Sequence, residues 1–130
     1  NPQLLHALGM LEVRAGNVAR ARERFLSVIK AHPSFTMAHL SLGRLEEELG
    51  RYDTAARHYA AGARAVQPDG RLGAVQLWQS WTRMEQRRRR FNTAHELYKR
   101  ASGIFPDDTQ LLIEWGKLYL ELDQTHAARP

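Results

Sequence analysis

The chain repeats itself, and the repeat length limits what it can fold into more than any other feature. "LGMLEVRAGN" (8–17) returns as "LGRLEEELGR" (42–51), which places Gly9 and Gly43 thirty-four residues apart. "WTRMEQRRRR" (81–90) and "WGKLYLELDQ" (115–124) fill the same slot, with Thr82 and Gly116 again thirty-four apart. The middle interval, Gly43 to Thr82, is thirty-nine. One of the five extra residues lies before Pro68 and four lie in "DGRLGAVQLW" (69–78). The second half of each unit repeats too. Ala21, Ala55 and Ala94 each stand four residues before an aromatic, Phe25, Tyr59 and Tyr98, and each segment closes on a proline, Pro33, Pro68 or Pro106. A period of this length means a supersecondary unit that stacks on its neighbours to bury a continuous core.

Each unit reads as two helices. Apolar residues recur at three and four, as in Leu4, Leu5, Leu8 and Leu11. Gly16 and Gly50 end the first helix, the closing prolines end the second, and Ser34, Asp69 and Asp107 are the candidate N-caps that follow. No segment alternates with a period of two, so no strand is expected. The units are 1–33, 34–68, 69–106 and a partial 107–130, about three and a half repeats in one domain. The fourth breaks off at its own alanine, Ala128. Leu5, Leu8, Trp78, Trp81, Leu112 and Trp115 are the expected large core residues. At the end of the stack, an unpaired first helix would expose Trp115 or Leu118 and drive association.

These residues resemble the tetratricopeptide repeat (TPR). The small residues Gly9, Gly43 and Gly116, the alanines Ala21, Ala55, Ala94 and Ala128, the three aromatics and the closing prolines all fit its pattern. The third unit is similar to the half-a-TPR (HAT) variant, through "LWQSWTRMEQ" (77–86) and "TAHELYKRASGIFP" (93–106). Glu12, Glu46 and Glu85 hold the acid of that variant in three units, and Tyr119 departs from it. The resemblance implies an all-α fold, a right-handed α-solenoid of stacked antiparallel helix pairs. It also implies a non-catalytic interaction module. Proteins similar to TPR bind peptides and scaffold complexes; HAT proteins work largely in RNA processing, in the nucleus and in chloroplasts. The main expectation is therefore an RNA-processing or RNA-stabilising factor in an intracellular setting, either nucleus or chloroplast. The alternative is a protein scaffold that makes no RNA contact.

In a TPR-like stack the first helices line the binding groove. The residues directly after the small one are Met10, Arg44, Arg83 and Lys117, three of them basic. A second row is His6, Leu40, Gln79 and Ile113, and a third is Arg14, Glu48, Arg87 and Glu121. The candidate partner-binding residues are Arg44, Arg83, Lys117, Arg87 and Arg14, with Gln79 and Gln86 as amide donors. Arg88, Arg89 and Arg90 form a basic edge where a first helix ends, a place where cations are stabilised by about 0.3–1 kcal/mol. Four phosphate contacts along such a row would give single-stranded RNA binding a log–log salt slope of about −3. The carboxylate clamp of some TPR proteins needs Lys and Asn where this chain has His6, Leu40, Ala7 and Ser41, so that mode of binding is not expected.

Bulk properties narrow the rest. Sixteen Arg and three Lys against fourteen acids give a formal charge of +5, which suits acidic partners. Without cysteine there is no disulfide framework. No apolar run approaches a membrane span, and the start at Asn1 reads as part of a longer chain or complex. The six histidines lack metal-ligand spacing, and neither a phosphate loop nor a nucleophile elbow is present, so no metal, cofactor or small-molecule substrate is expected. Because Glu12, Glu46 and Glu85 recur at one repeat position, they read as structural, with Arg22 of a second helix as a partner.

Overall fold

The computed structural model describes residues 1–127, with side chains to 124. Ala128, expected to open a further helix, lies outside the described residues. Seven α-helices are present among them, with no strand: α1 (Pro2–Arg14), α2 (Val18–Ala31), α3 (Thr36–Glu48), α4 (Tyr52–Ala63), α5 (Val75–Arg87), α6 (Phe91–Ile104) and α7 (Thr109–Ala127). The all-α helical-repeat solenoid expected from the sequence is the architecture observed. The helices fall into two compact units, residues 1–80 and 81–130, and the boundary lies inside α5.

In the first unit, α1 and α2 form one helix hairpin and α3 and α4 a second. Ala21, Phe25, Leu42 and Leu45 make a buried cluster flanked by Val13, Val18 and Ile29. The small residues and the aromatics are two halves of one contact. A methyl group at Gly9 would come within 2.5 Å of Cε1 of Phe25, and one at Gly43 would meet the Tyr59 ring in the same way. Both rings and the alanines one turn before them are fully buried. In the second unit Thr82 replaces the glycine, and its side chain hydrogen-bonds Tyr98.

The three first-to-second-helix turns are alike bond for bond. Asn17, Arg51 and Arg90 each donate a backbone N–H to the carbonyl of Glu12, Glu46 and Glu85, at 2.8, 2.9 and 3.0 Å. Gly16, Gly50 and Arg89 donate to Val13, Glu47 and Gln86, at 3.1, 3.0 and 3.0 Å. This double pattern is the Schellman motif, which satisfies carbonyls left over at a helix end and requires a left-handed residue. Gly16 and Gly50 supply it at φ 80° and 77°. Arg89 does so at φ 61°, the one non-glycine there among the described residues. A side chain in that region costs about 1 kcal/mol. The Arg89 guanidinium sits 5.1 Å from the centre of the Phe91 ring, a cation–π contact that offsets part of the cost.

Four local expectations need correction. α4 ends at Ala63, well before Pro68, and the extra residues of the third unit form a closed loop, 64–74. Val66 and Leu72 bridge across it, Gly70 and Gly73 turn it, and the indole N–H of Trp78 donates to the Leu72 carbonyl at 2.9 Å. Asp69 accepts from the Arg71 N–H within this loop and caps no helix. α3 starts after Phe35 without a side-chain cap, so Ser34 does not serve as one. At α7 the cap is Asp108, whose carboxylate accepts from the Leu111 N–H at 2.8 Å, and not Asp107.

α7 departs furthest from the pattern. It runs unbroken through the slot where the other first helices turn. The residues that make the turn elsewhere are absent: Tyr119 stands for the glutamate and Asp123 for the left-handed residue. Leu118, expected to be exposed, is buried, and Trp115 is half-buried, its indole N–H donating to Nδ1 of His95 at 3.1 Å. Leu112, expected in the core, is exposed, and Leu111 beside it takes the buried place.

The glycine–ring contact is testable. Gly43→Ala should destabilise the protein by about 1–2 kcal/mol in urea denaturation, since overpacking a rigid ring outweighs the gain in helix propensity. An unchanged or higher denaturation midpoint would show that the ring yields.

Candidate functional site

The first unit contains a groove of about 220 Å³ lined by Met10, Val13, Ser41, Arg44, Leu45 and Glu48. Successive turns of α1 and α3 build it. Met10 and Val13 come from the last turns of α1; Ser41, Arg44, Leu45 and Glu48 come from one face of α3, spaced at three and four. Leu45 belongs to the core cluster and Val13 packs against it, so the floor is apolar. Arg44 and Glu48 are exposed at its rim, and the Arg44 guanidinium donates to Oγ of Ser80 at 3.1 Å. The groove can therefore take an apolar side chain and offer a cation and a carboxylate beside it.

Three residues of the expected rows meet in this groove: Met10, Arg44 and Glu48. Arg14 is exposed in the last turn of α1, and Gln79 is half-buried on α5. His6, at one of the clamp positions, is bonded to another, Ser41, at 2.7 Å, and Leu40 is buried. That leaves no clamp in this unit. The apolar floor of Val13 and Leu45 was not anticipated; the only signal for it was Met10, the one uncharged member of the basic row.

In the second unit Arg83, Arg87 and Lys117 are exposed, and Lys117 lies 3.7 Å from Glu114. Gln86, expected as an amide donor to a partner, is held inside the protein. Its oxygen accepts from the Tyr98 hydroxyl at 2.9 Å and its nitrogen donates to Glu121 at 3.2 Å. Arg88 is drawn off the basic edge by Glu85, at 2.8 Å, whereas Arg89 and Arg90 remain exposed.

The recurring glutamates are clasps of the turns. The Glu46 carboxylate is only 2% exposed and accepts from Nε and Nη2 of Arg22, at 2.9 and 2.6 Å, with Arg51 at 3.6 Å on its other oxygen. Arg22 is the second-helix partner expected from the sequence. Glu12 accepts from Asn17 at 2.9 Å and faces Arg24 at 3.6 Å. In each turn the glutamate backbone carbonyl accepts a turn hydrogen bond and its carboxylate is engaged by a nearby side chain. Among the described residues no three His, Asp or Glu side chains converge as metal ligands would, and no helix is long and apolar enough to cross a membrane.

Three histidines are held below their ordinary basicity, each chiefly by burial. For His6 the Met37 backbone opposes the effect. For His58 Glu46 opposes it, while His39, Arg22 and Arg57 add to it. For His39 the Pro33 carbonyl, 3.0 Å from Nε2, opposes it and Arg64 adds to it. A carbonyl only accepts, so Nε2 of His39 carries the proton and its buried Nδ1 has no partner.

Among known proteins, the family model described as tetratricopeptide repeat matches residues 6–69. No curated protein matches the sequence. Solved structures match at low identity. The first TPR of Spaghetti (RPAP3) bound to the HSP90 peptide SRMEEVD aligns with a TM-score of 0.71 at 14% identity, covering 94% of this chain and 95% of that one. The Yersinia enterocolitica type III secretion chaperone SycD, in complex with a peptide of the translocator YopD, gives 0.68 at 16%, covering 94% and 89%. A MamA double mutant from strain RS-1 gives 0.66 at 19%, covering 95% of this chain, which spans 66% of the MamA chain. The chain is a TPR-like helical repeat. The likeness of the third unit to the HAT variant gains no support from these matches.

Two outcomes follow. Glu46→Ala should cost about 2–3 kcal/mol of unfolding free energy, near the low end for a broken buried pair because Arg22 can rehydrate, while Glu12→Ala should cost less than about 1. Equal losses in urea titrations would contradict the clasp assignment. Thermal stability should fall as the pH drops from about 6.5 to the lowered histidine values, because across that window the unfolded chain binds more protons than the folded one. It should level off below them, and His39→Gln should flatten part of the decline. A melting temperature that rises on acidification would have the wrong sign.

Proposed function

We propose that this chain is a non-catalytic, TPR-like protein-interaction module whose α1–α3 groove receives a short segment of a partner protein. The groove itself carries the reading: an apolar floor of Met10, Val13 and Leu45 with Arg44 at the rim. Such a site suits a segment that pairs an apolar side chain with a carboxylate. The floor desolvates the first, and Arg44 offers charge-assisted hydrogen bonds to the second. The net charge of +5 favours the approach of such a segment.

Two of the similar structures hold peptides, one from HSP90 and one from YopD. They support the protein-scaffold alternative over the RNA-processing reading, for which no comparison speaks. Two of the cationic-row candidates also have nearby protein partners, Arg44 with Ser80 and Lys117 with Glu114. The glutamates that recur in this chain serve its turns.

The test is selection of a phage-displayed peptide library on the protein, followed by fluorescence titration of the enriched peptides. Enrichment should favour an apolar residue next to an acidic one. Met10→Glu should weaken binding about tenfold or more with the circular dichroism and melting temperature unchanged, since Met10 lies at the surface. No enrichment, or peptides indifferent to Met10→Glu, would overturn the assignment. Oligouridine binding with a salt slope near the RNA expectation, in the absence of peptide binding, would return the function to RNA.

A further inference from the structure

The α1–α3 groove carries a second charge that a carboxylate-binding rim does not need. Arg44 and Glu48 stand one turn apart on the same face of α3, about 6 Å along its axis, and both line the groove. Oppositely charged residues at this spacing often pair with each other, although arginine before glutamate is the weaker order. Here the pair stays open. The Arg44 guanidinium is engaged with Oγ of Ser80 at 3.1 Å. Among the described residues no ion pair or hydrogen bond reaches the Glu48 carboxylate, and Arg14 in the last turn of α1 is no exception.

Glu48 is also badly placed for α3 itself. A helix C-terminus carries a partial negative charge and favours cations. α1, α2 and α5 each have a basic residue in the last turn, Arg14, Lys30 and Arg87, and α3 has none. It closes instead on Glu46, Glu47 and Glu48. Arg22 and Arg51 compensate Glu46, and Glu47 accepts from the Tyr59 hydroxyl at 3.0 Å. Of the three, the exposed Glu48 has no such contact.

We infer, on the footing of the peptide-binding role proposed above, that Glu48 is a specificity residue of this groove. The partner segment carries a base as well as an acid, one on each side of its apolar residue. In an extended segment, residues two apart are about 7 Å from each other. That matches the rise between Arg44 and Glu48. A central apolar side chain can therefore enter the floor of Met10, Val13 and Leu45 while its two neighbours reach opposite charges at the rim. The same arrangement rejects poorer partners, because a segment with acids on both sides sets one of them against Glu48. Both walls of the groove belong to the first unit, and further repeats at either end of a stack lengthen the row of first helices without filling the space between two of them.

The probes are synthetic peptides with a central leucine, flanked either by one glutamate and one lysine, in both orders, or by glutamate on both sides. In fluorescence titrations the better mixed-charge peptide should bind about fivefold more tightly than the all-acidic one, the modest factor expected of an exposed ion pair. Glu48→Lys should reverse that preference. The new lysine would sit at an exposed helix C-terminus, so the variant should melt at the same or a higher temperature, and a changed preference cannot then come from lost structure. Equal binding of the two kinds of peptide, or a preference that survives Glu48→Lys, would overturn the inference; if Met10→Glu still weakens both peptides, the groove keeps its proposed role. Binding of neither peptide, or binding indifferent to Met10→Glu, would overturn that role and the inference together. Self-association in sedimentation that Glu48→Lys abolishes would also overturn the inference, since the groove would then belong to a second copy.

Discussion

An aromatic ring laid over a position without a Cβ governs how the helices of the first two hairpins pair. Two helices separated by bulky side chains on both faces would leave a gap that neither could fill. Removing the side chain from one and placing a flat ring on the other closes the gap and fixes the rotation of both helices together. The alanine one turn before the ring extends that contact without adding width. Dense packing of this kind has little room to relax, so the contact sets register as well as stability.

The turn between the helices then has to bring the ring to the right place. The Schellman motif does this with two backbone hydrogen bonds, and the glutamate side chain adds a third connection. Arg22 reaches Glu46 from the second helix of the unit before, so one carboxylate holds both its own turn and its neighbour. The third unit has lost both glycines of the pattern. Thr82 replaces one by bonding to the ring it lies beneath, and Arg89 replaces the other at a backbone cost that Phe91 partly offsets. The motif survives there because its hydrogen bonds are backbone to backbone.

The repeat was readable in the sequence because its causes are local. Glycine at a left-handed turn, alanine and an aromatic at helical spacing, and apolar residues at three and four each point to one conformation. What escaped the sequence depends on neighbours that period alone does not specify. Leu112 occupies the same repeat position as Leu5, yet it is exposed, and Leu111 beside it is the buried residue. Gln86 and Arg88 looked like donors to a partner, but Tyr98 and Glu85 hold them. The apolar floor of the groove was hidden for a related reason: Val13 and Leu45 serve the core and the groove at once. A period marks which residues are equivalent in position, and equivalence in environment holds only where the adjoining units are equivalent too.

The contacts beneath the three rings carry one further consequence, for how such a chain can be rearranged. Apolar Val13 packs against the cluster that holds Phe25, Tyr59 bonds Glu47 at 3.0 Å, and Tyr98 bonds Gln86 at 2.9 Å. The residue twelve positions before the ring is thus matched to whether the ring carries a hydroxyl. Exchanging one second helix for another would bury a hydroxyl over valine, or leave a glutamate beneath a ring that cannot bond it. The interchangeable module of this chain, in duplication or in design, is the whole helix hairpin.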